Sequence, residues 1–381
     1  MSRKRILIFS TDSFLGYQPS ILNLYDELAK HFDTHIISYQ YFNNFVPVKA
    51  SINLTYIKPL KLIKKFLFMI NIIMNKFIVP VVRLFNKNYE YQNDLFKAYK
   101  VWLGKKHLRN LSVQPDEVIA VDYIALYTAQ QIFGAVHLQS LEIYLNDKYK
   151  KKIDPDKIKT VIVPSEERYE YNFGSRQYKK FIIPNAPAYK EYDTYPINER
   201  KGLIWAGTIS QAFGTYHVIE FIKAYPEYTL TLKGSFVSGY EAVIREKYAD
   251  LINKDRLIIN TEYLDNDAFI HFISKHLIGF CFYEWDVIKN NINYYLAPAG
   301  RLFMYYAAGV PTIACKTPGL KSINDFNAGQ MITDYKLETI KKAVDTIMAD
   351  YANMSANSIK AAIFHSFETN TLPLIEYLKT H

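Results

Sequence analysis

Cysteine is almost missing: Cys281 and Cys315 are the only two among 381 residues. Each stands in an apolar, strand-like run, which argues against a disulfide framework and favours a reducing compartment. Their spacing offers no metal-ligand pattern either. Also lacking is an unbroken apolar run of membrane-spanning length. The longest candidate runs from Phe66 to Phe85 and is interrupted by Asn71, Asn75, Lys76, Pro80 and Arg83, so it makes a poor spanning helix. At the N-terminus, Ser2-Arg-Lys-Arg5 precedes Ile6-Leu-Ile-Phe9, too short an apolar run for a signal peptide and better read as a first β-strand. What is present is ample aromatic surface, with 32 Tyr and 24 Phe, and a net charge of +9. Such aromatics suit either a carbohydrate-facing surface or an aromatic-rich core. The length allows two domains with cores of their own.

Taken in order, residues 5–10 read as a strand, followed by the loop Thr11-Asp-Ser-Phe-Leu-Gly16. Helical spacing follows at Ile21, Leu24, Leu28 and Phe32, and a second strand covers 35–38. This βαβ unit implies a parallel sheet with a ligand-facing loop at the carboxyl end of its first strand. Gly16 would let a ligand approach the backbone there, or simply make a turn. Further strands are expected at 116–122, 135–139, 159–165 and 180–185. His137 and Gln139 share one side of their strand because side chains alternate. The proline-bearing stretch 185–200 reads as a linker. A second α/β series follows, with strands at 203–207, 228–233, 256–260, 277–282 and 312–315 and helices between them. The last segment, 355–379, is helical and broken at Pro373.

Residues 57–110 differ in character. Twelve Lys or Arg face two acids, Glu90 and Asp94, an excess larger than the net charge of the whole chain. On a helix, Lys61, Lys64, Lys65, Asn71 and Asn75 form a narrow polar stripe with a broad apolar remainder. A basic, strongly apolar helix suits an anionic membrane surface; covered by the rest of the domain, its lysines would merely be solvated. No recognition motif accompanies the charge, so nucleic acid is not an expected partner.

The organising stretch is Leu296-Ala-Pro-Ala-Gly-Arg-Leu-Phe-Met-Tyr-Tyr-Ala-Ala-Gly-Val-Pro-Thr-Ile-Ala314. It reads as a loop, a short helix, a glycine stop at Gly309 and a strand after Pro311. Unpaired N–H groups at the helix start, a positive dipole end and Arg301 in the first turn make a natural phosphate holder. Taken alone, the stretch reads first as an ordinary helix–strand joint, because such joints are common.

From Arg301 to Ala314 it resembles the C-domain signature of GT-B glycosyltransferases, especially the family 4 type. Other pieces match in order: Val161-Ile-Val-Pro-Ser-Glu166, Ile183-Pro-Asn185, Leu203-Ile-Trp-Ala-Gly207 and Leu230-Thr-Leu-Lys-Gly234. The resemblance implies an α/β protein of two Rossmann-like domains facing a cleft. An acceptor domain would span 1–185 with the basic apolar insertion 57–110, a nucleotide-sugar domain 186–355, and a final helical segment 356–381 would pack back on the first. It also implies a nucleotide-sugar donor as substrate, a glycan or lipid-linked acceptor, and no essential metal or cofactor. Carried over, Gly207 and Thr208 would lie beside the diphosphate or sugar, with Lys233, next to Gly234, as a phosphate-binding cation. Tyr263 and Leu264 would flank the base, and Ala299, Gly300 and Arg301 would supply the helix N-terminus for the β-phosphate. Gly16, His137 and Gln139 would meet the acceptor or the transferred sugar. The expected location is cytoplasmic, peripheral on the inner face of the membrane if 57–110 binds lipid.

The pattern departs in places. Met304 stands where the family glutamate that binds the donor ribose is usual, and Leu296 stands at its acidic partner's position. Thr208-Ile-Ser-Gln-Ala-Phe-Gly214 lacks the usual arginine and lysine. A non-catalytic partner subunit and a nucleotide-sugar epimerase are therefore the rival expectations. Asp265-Asn-Asp267 matches a metal-binding Asp-x-Asp in form, but its place before an amphipathic run fits a helix N-cap better.

Overall fold

A computed structural model describes residues 3–12, 15–40, 48–81, 94–145 and 147–381, without the side chains of Tyr17, Lys64 and Leu67. Ser2, Ser13, Phe14, Arg83, Phe85 and Glu90, used in the reading above, lie outside the described residues. The chain divides into two compact units. Unit 1 comprises Met1–Val163, Asn172–Ile182 and Thr371–His381, and unit 2 comprises Pro164–Tyr171 and Ile183–Asn370.

Unit 1 is built on strands β1 (Arg5–Ser10), β2 (Asp33–Tyr39), β3 (Leu54–Ile57), β4 (Glu117–Val121), β5 (Val136–Gln139), β6 (Ile158–Val163) and β7 (Lys180–Ile182). Their order is β3-β2-β1-β4-β5-β6-β7, and every pairing is parallel. Helices cover both faces of such a sheet, so its central strands are apolar throughout; Ile6, Ile8, Phe9, Ile119 and Leu138 are all buried. The helix Pro19–Ala29 buries Ile21, Leu24, Tyr25 and Leu28, as the spacing predicts. A second helix, Asp94–Arg109, approaches the sheet closely at Gly104, where a Cβ would lie 2.5 Å from the Tyr39 hydroxyl. The C-terminal residues complete the unit. Leu374, Ile375 and Leu378 are buried, Lys4 Nζ donates to the Leu378 carbonyl at 3.0 Å, and the Tyr377 ring meets His137 edge-on.

Unit 2 holds β8 (Leu203–Ala206), β9 (Leu230–Lys233), β10 (Leu257–Asn260), β11 (Ile278–Cys281), β12 (Thr312–Cys315) and β13 (Gly329–Ile332), parallel in the order β10-β9-β8-β11-β12-β13. In both units the first strand lies between the second and the fourth, the doubly wound pattern. Ligands bind such sheets outside the carboxyl ends of the strands where the order reverses, here between β1 and β4 and between β8 and β11.

The α/β class of two Rossmann-like units expected from the sequence is the one found. One detail is corrected. The C-terminal helical segment does not break at Pro373, which sits inside the helix Phe367–Thr380. The break falls at Ser366, whose extended backbone ends the helix Tyr351–His365. Asn370 Nδ2 donates to the Phe364 and Ser366 carbonyls, satisfying backbone acceptors that the break exposes.

Candidate functional site

In unit 2 the ladder between β8 and β11 pairs only at Leu203 with Ile278 and at Ile204 with Gly279. Beyond that the strands part, and the Tyr305 hydroxyl fills the opening. It accepts from Ala206 N at 2.8 Å and reaches the Phe280 carbonyl at 3.2 Å. The ring lies flat on the sheet because Gly279 has no side chain; a Cβ there would be 2.7 Å from it. Tyr305 thereby docks the helix Gly300–Ala307 at the switch point of the sheet. No side chain caps the N-terminus of this helix, whose N-cap residue is Ala299. Asn185, the end of the Ile-Pro-Asn piece, is the residue nearest the open side of Gly300.

Arg301 does not extend into solvent. Its guanidinium carbon lies 4.7 Å from the centre of the Trp205 ring, 5.0 Å from Phe213 and 5.7 Å from Tyr283. Nη1 is shielded and has no hydrogen-bond partner, and among the described residues no carboxylate pairs with the group. Three aromatic faces stabilise a cation without cancelling its charge. A partly buried cation with no carboxylate partner, beside an uncapped helix N-terminus, favours an anion there.

Backbone geometry at the strand exits points the same way. Gly207, just after β8, has φ +104°, and the space its Cβ would enter is empty. Gly234, just after β9, has φ +146°, and a Cβ there would lie 1.9 Å from the Gly207 carbonyl oxygen. Only glycine lets these two exits touch. Thr208 turns its carbonyl to Trp205 Nε1 at 3.1 Å, supporting the ring under Arg301. Lys233 is buried and braces the exit of β10, donating to Asn260 Oδ1 and to the Glu262 carbonyl, both at 2.6 Å. It thereby holds the turn that presents Tyr263, which is 81% exposed, and the half-buried Leu264. Met304 packs with the apolar group around Ile204, Ala206 and Tyr305, while Leu296 is buried and its carbonyl faces Ser165 Oγ. Asp265 caps the helix Asn266–Ser274 by accepting from Ala268 N at 2.9 Å, and Asp267 pairs with Lys190.

In unit 1 the β1 exit carries Asp12, Gly16 and Gln18. Gln18 Nε2 donates to the Asp12 carboxylate, and Gly16 lies in a single 3-10 turn, Leu15–Tyr17. Lys100 reaches in from the basic helix Asp94–Arg109 to the Thr11 carbonyl at 2.9 Å, and burial pulls its ammonium down to about 8. His137 and Gln139 share a strand but differ in setting. His137 is buried between Glu117, at 3.0 Å from Nε2, and Thr160, at 2.7 Å from Nδ1. Burial lowers its pKa against the opposing pull of Glu117. Gln139, at the carboxyl end of β5, touches the Ser20 carbonyl at 3.4 Å, and its Oε1 is shielded without a partner.

Sequence reasoning missed Asp122. It is one of three non-glycine residues with positive φ among the described residues, at +61°, and it sits at the exit of β4. Its carboxylate accepts from Leu141 N at 2.9 Å and from Glu142 N at 3.3 Å, with the Tyr144 hydroxyl at 3.3 Å. Removal from water pushes its pKa up to about 7, outweighing those hydrogen bonds. Strained backbone and a raised carboxyl pKa at a strand exit are marks of a functional position. The aromatic cage of Arg301 was missed too, because Trp205, Phe213 and Tyr283 converge from three separate elements.

The solved structures to which the chain is similar extend over its whole length. It covers 99% of the E. coli trehalose-6-phosphate protein bound with UDP-2-fluoro glucose, itself covered to 99%, with TM-score 0.67 and 11% identity. For the UDP-forming α,α-trehalose-phosphate synthase of Burkholderia vietnamiensis the TM-score is 0.64 at 9% identity, with 99% of this chain and 100% of that one covered. Anabaena HepE in complex with UDP gives 0.63 at 12% identity over the same shares. No protein-family model matches the chain, and no curated protein matches it by sequence. The fold is thus GT-B, as the ordered sequence pieces imply.

Proposed function

We propose that the protein is a glycosyltransferase. It would move a sugar from a nucleotide-sugar donor to a saccharide or lipid-linked saccharide in cell-surface glycan synthesis, without an essential metal and with retention at the anomeric carbon. The observation that carries this reading is the uncompensated Arg301 guanidinium at the uncapped N-terminus of Gly300–Ala307, set at the switch point of unit 2. In such a transfer the bond from the anomeric carbon to the diphosphate oxygen breaks, and the diphosphate leaves with the electron pair. The acceptor hydroxyl forms the new bond and gives up its proton to the departing diphosphate. Negative charge grows on the leaving group, and pre-placed N–H groups with a fixed cation stabilise that charge more than they stabilise the donor. Gly207 would leave room for the diphosphate or the sugar, and Tyr263 and Leu264 would meet the base. In unit 1, Gln139 and Asp122 are the groups offered to the acceptor or to the transferred sugar.

A second reading is supported by Met304, which packs among apolar neighbours where a ribose-binding acid would be useful. On it the protein is a non-catalytic partner of an active transferase. A thermal-shift screen against nucleoside diphosphates and nucleotide sugars separates the two. UDP and UDP-sugars come first, because structures of like fold hold UDP. A stabilising diphosphate, followed by donor hydrolysis or transfer, supports the transferase. Silence across the panel favours the partner subunit.

A further inference from the structure

Unit 1 carries a helix that the transferase reading leaves unused. It runs Lys61–Ile73 and continues as a π-helical turn, Met74–Ile78. One side turns inward, where Ile63, Ile70 and Met74 are partly covered and Val79 is buried. A neighbouring side does not. Leu62, Phe66, Met69, Ile73 and Phe77, at successive spacings of four, three, four and four residues, are 44% to 82% exposed. Five large apolar side chains in one row on a water-facing helix are a standing cost unless something apolar covers them.

The flanking charge says what that cover is. Lys58, Lys61, Lys65 and Lys76 are exposed, and no Asp or Glu occurs from 57 to 81. A second copy of this chain would set like charge against like charge. A surface of apolar interior and anionic rim fits both features, with lysine stems lying over the apolar layer and ammonium groups reaching the headgroups. The polar interruptions do not oppose this. Asn75 Nδ2 donates to both the carbonyl and the side-chain oxygen of Asn71 at 2.9 Å, so these amides pair inside the helix. Near the start of the helix, Leu60 N donates to the Tyr99 hydroxyl at 3.0 Å, and Tyr99 stacks on the half-exposed Trp102. Indole favours the boundary between headgroup and acyl chain. Among the described residues no helix is long and apolar enough to cross a bilayer.

We infer that the helix Lys61–Ile78 lies in the plane of an anionic lipid bilayer, with the row Leu62, Phe66, Met69, Ile73 and Phe77 in the acyl boundary and the lysines on phosphate headgroups. The inference does not depend on the transferase reading, and its test needs no donor.

The test is co-sedimentation of the full chain with vesicles of phosphatidylcholine alone or mixed with phosphatidylglycerol, at low and high salt. The wild type binds the mixed vesicles, more weakly as salt rises. Replacing Phe66, Met69 and Phe77 together by Ser weakens that binding at least about tenfold, since each loses the apolar area that the acyl boundary would cover. Replacing Lys58, Lys61, Lys65 and Lys76 by Gln removes the preference for phosphatidylglycerol. These side chains are exposed, so the variants should keep the wild-type circular dichroism. Failure of the wild type to bind mixed vesicles would overturn the inference. So would equal binding by the Ser variant, or a wild-type dimer that the Ser substitutions dissociate, which would make the cover a second copy.

Discussion

Arg301 and Asp122 place opposite electrostatic demands on the fold. The Arg301 cation is held by ring faces and lacks an anion. Arg301→Ala should weaken UDP binding by about tenfold or more, read by calorimetry. Arg301→Lys should not restore it, because an ammonium cannot stack flat among Trp205, Phe213 and Tyr283 as a guanidinium does. Asp122 is the reverse case, a carboxyl whose ionised form the fold disfavours. Its folded pKa of about 7 lies above the unfolded value of about 3.9. The favourable contribution is therefore complete below about pH 4 and is lost as pH rises through about 7. Asn keeps an oxygen for Leu141 and Glu142 and tolerates the left-handed backbone. Asp122→Asn should thus raise the melting temperature relative to wild type at pH 8, with the gain fading toward pH 4, while transfer activity falls. Of this pair only Arg301 was legible in the sequence. The glycine before it and the glycine stop after it mark the two ends of a helix, whereas the φ of Asp122 belongs to the join between strand and helix and leaves no local pattern.

At the scale of elements, the strands were legible because a parallel sheet buried on both faces demands continuous apolar runs, as in Ile6-Leu-Ile-Phe9 and Val118-Ile-Ala-Val121. Two of the four edge strands were not. β3 is only partly buried along most of its length, and β13 opens on Gly329 with a half-buried centre, so neither shows such a run. Pro373 misled for a related reason. A proline removes one N–H and strains one turn, but buried Leu374 and Ile375 hold the helix through it. The element that matters most for the site is Gly300–Ala307, which buries Leu302, Phe303, Tyr305, Tyr306 and Ala307 and bridges the opening of the sheet through one hydroxyl. Tyr305→Phe keeps the ring on Gly279 but leaves Ala206 N without its acceptor in the opening between β8 and β11. The expected cost is about 1–3 kcal/mol in urea unfolding. UDP affinity should fall alongside it, although Tyr305 is placed to touch the sheet rather than the ligand. If stability falls while affinity holds, the helix does not depend on this bridge for its position.

For the whole molecule, the chain returns to its first unit at the end. Thr371–His381 belongs to unit 1, where Leu374, Ile375 and Leu378 are buried and the Leu378 carbonyl receives Lys4. Ending the chain at Asn370 would remove those side chains and uncover the Glu117–His137 pair beneath Tyr377. Loss of three buried aliphatic side chains is worth several kcal/mol, roughly 2–5 for each truncation of this kind in a packed core. The shortened chain should therefore lose hydrogen-exchange protection in β1, β4 and β5. UDP should act on the other unit. At about a hundredfold excess over its dissociation constant it adds about 2.7 kcal/mol to whatever must unfold to release it. That protection should concentrate at Gly207, Gly234 and Gly300–Leu302 and leave β1, β4 and β5 unchanged. The two perturbations then map to different sheets in one exchange experiment. Protection gained around Asp122 and Gln139 from UDP alone would instead assign the diphosphate to unit 1, and with it the roles given to Arg301 and Gly207.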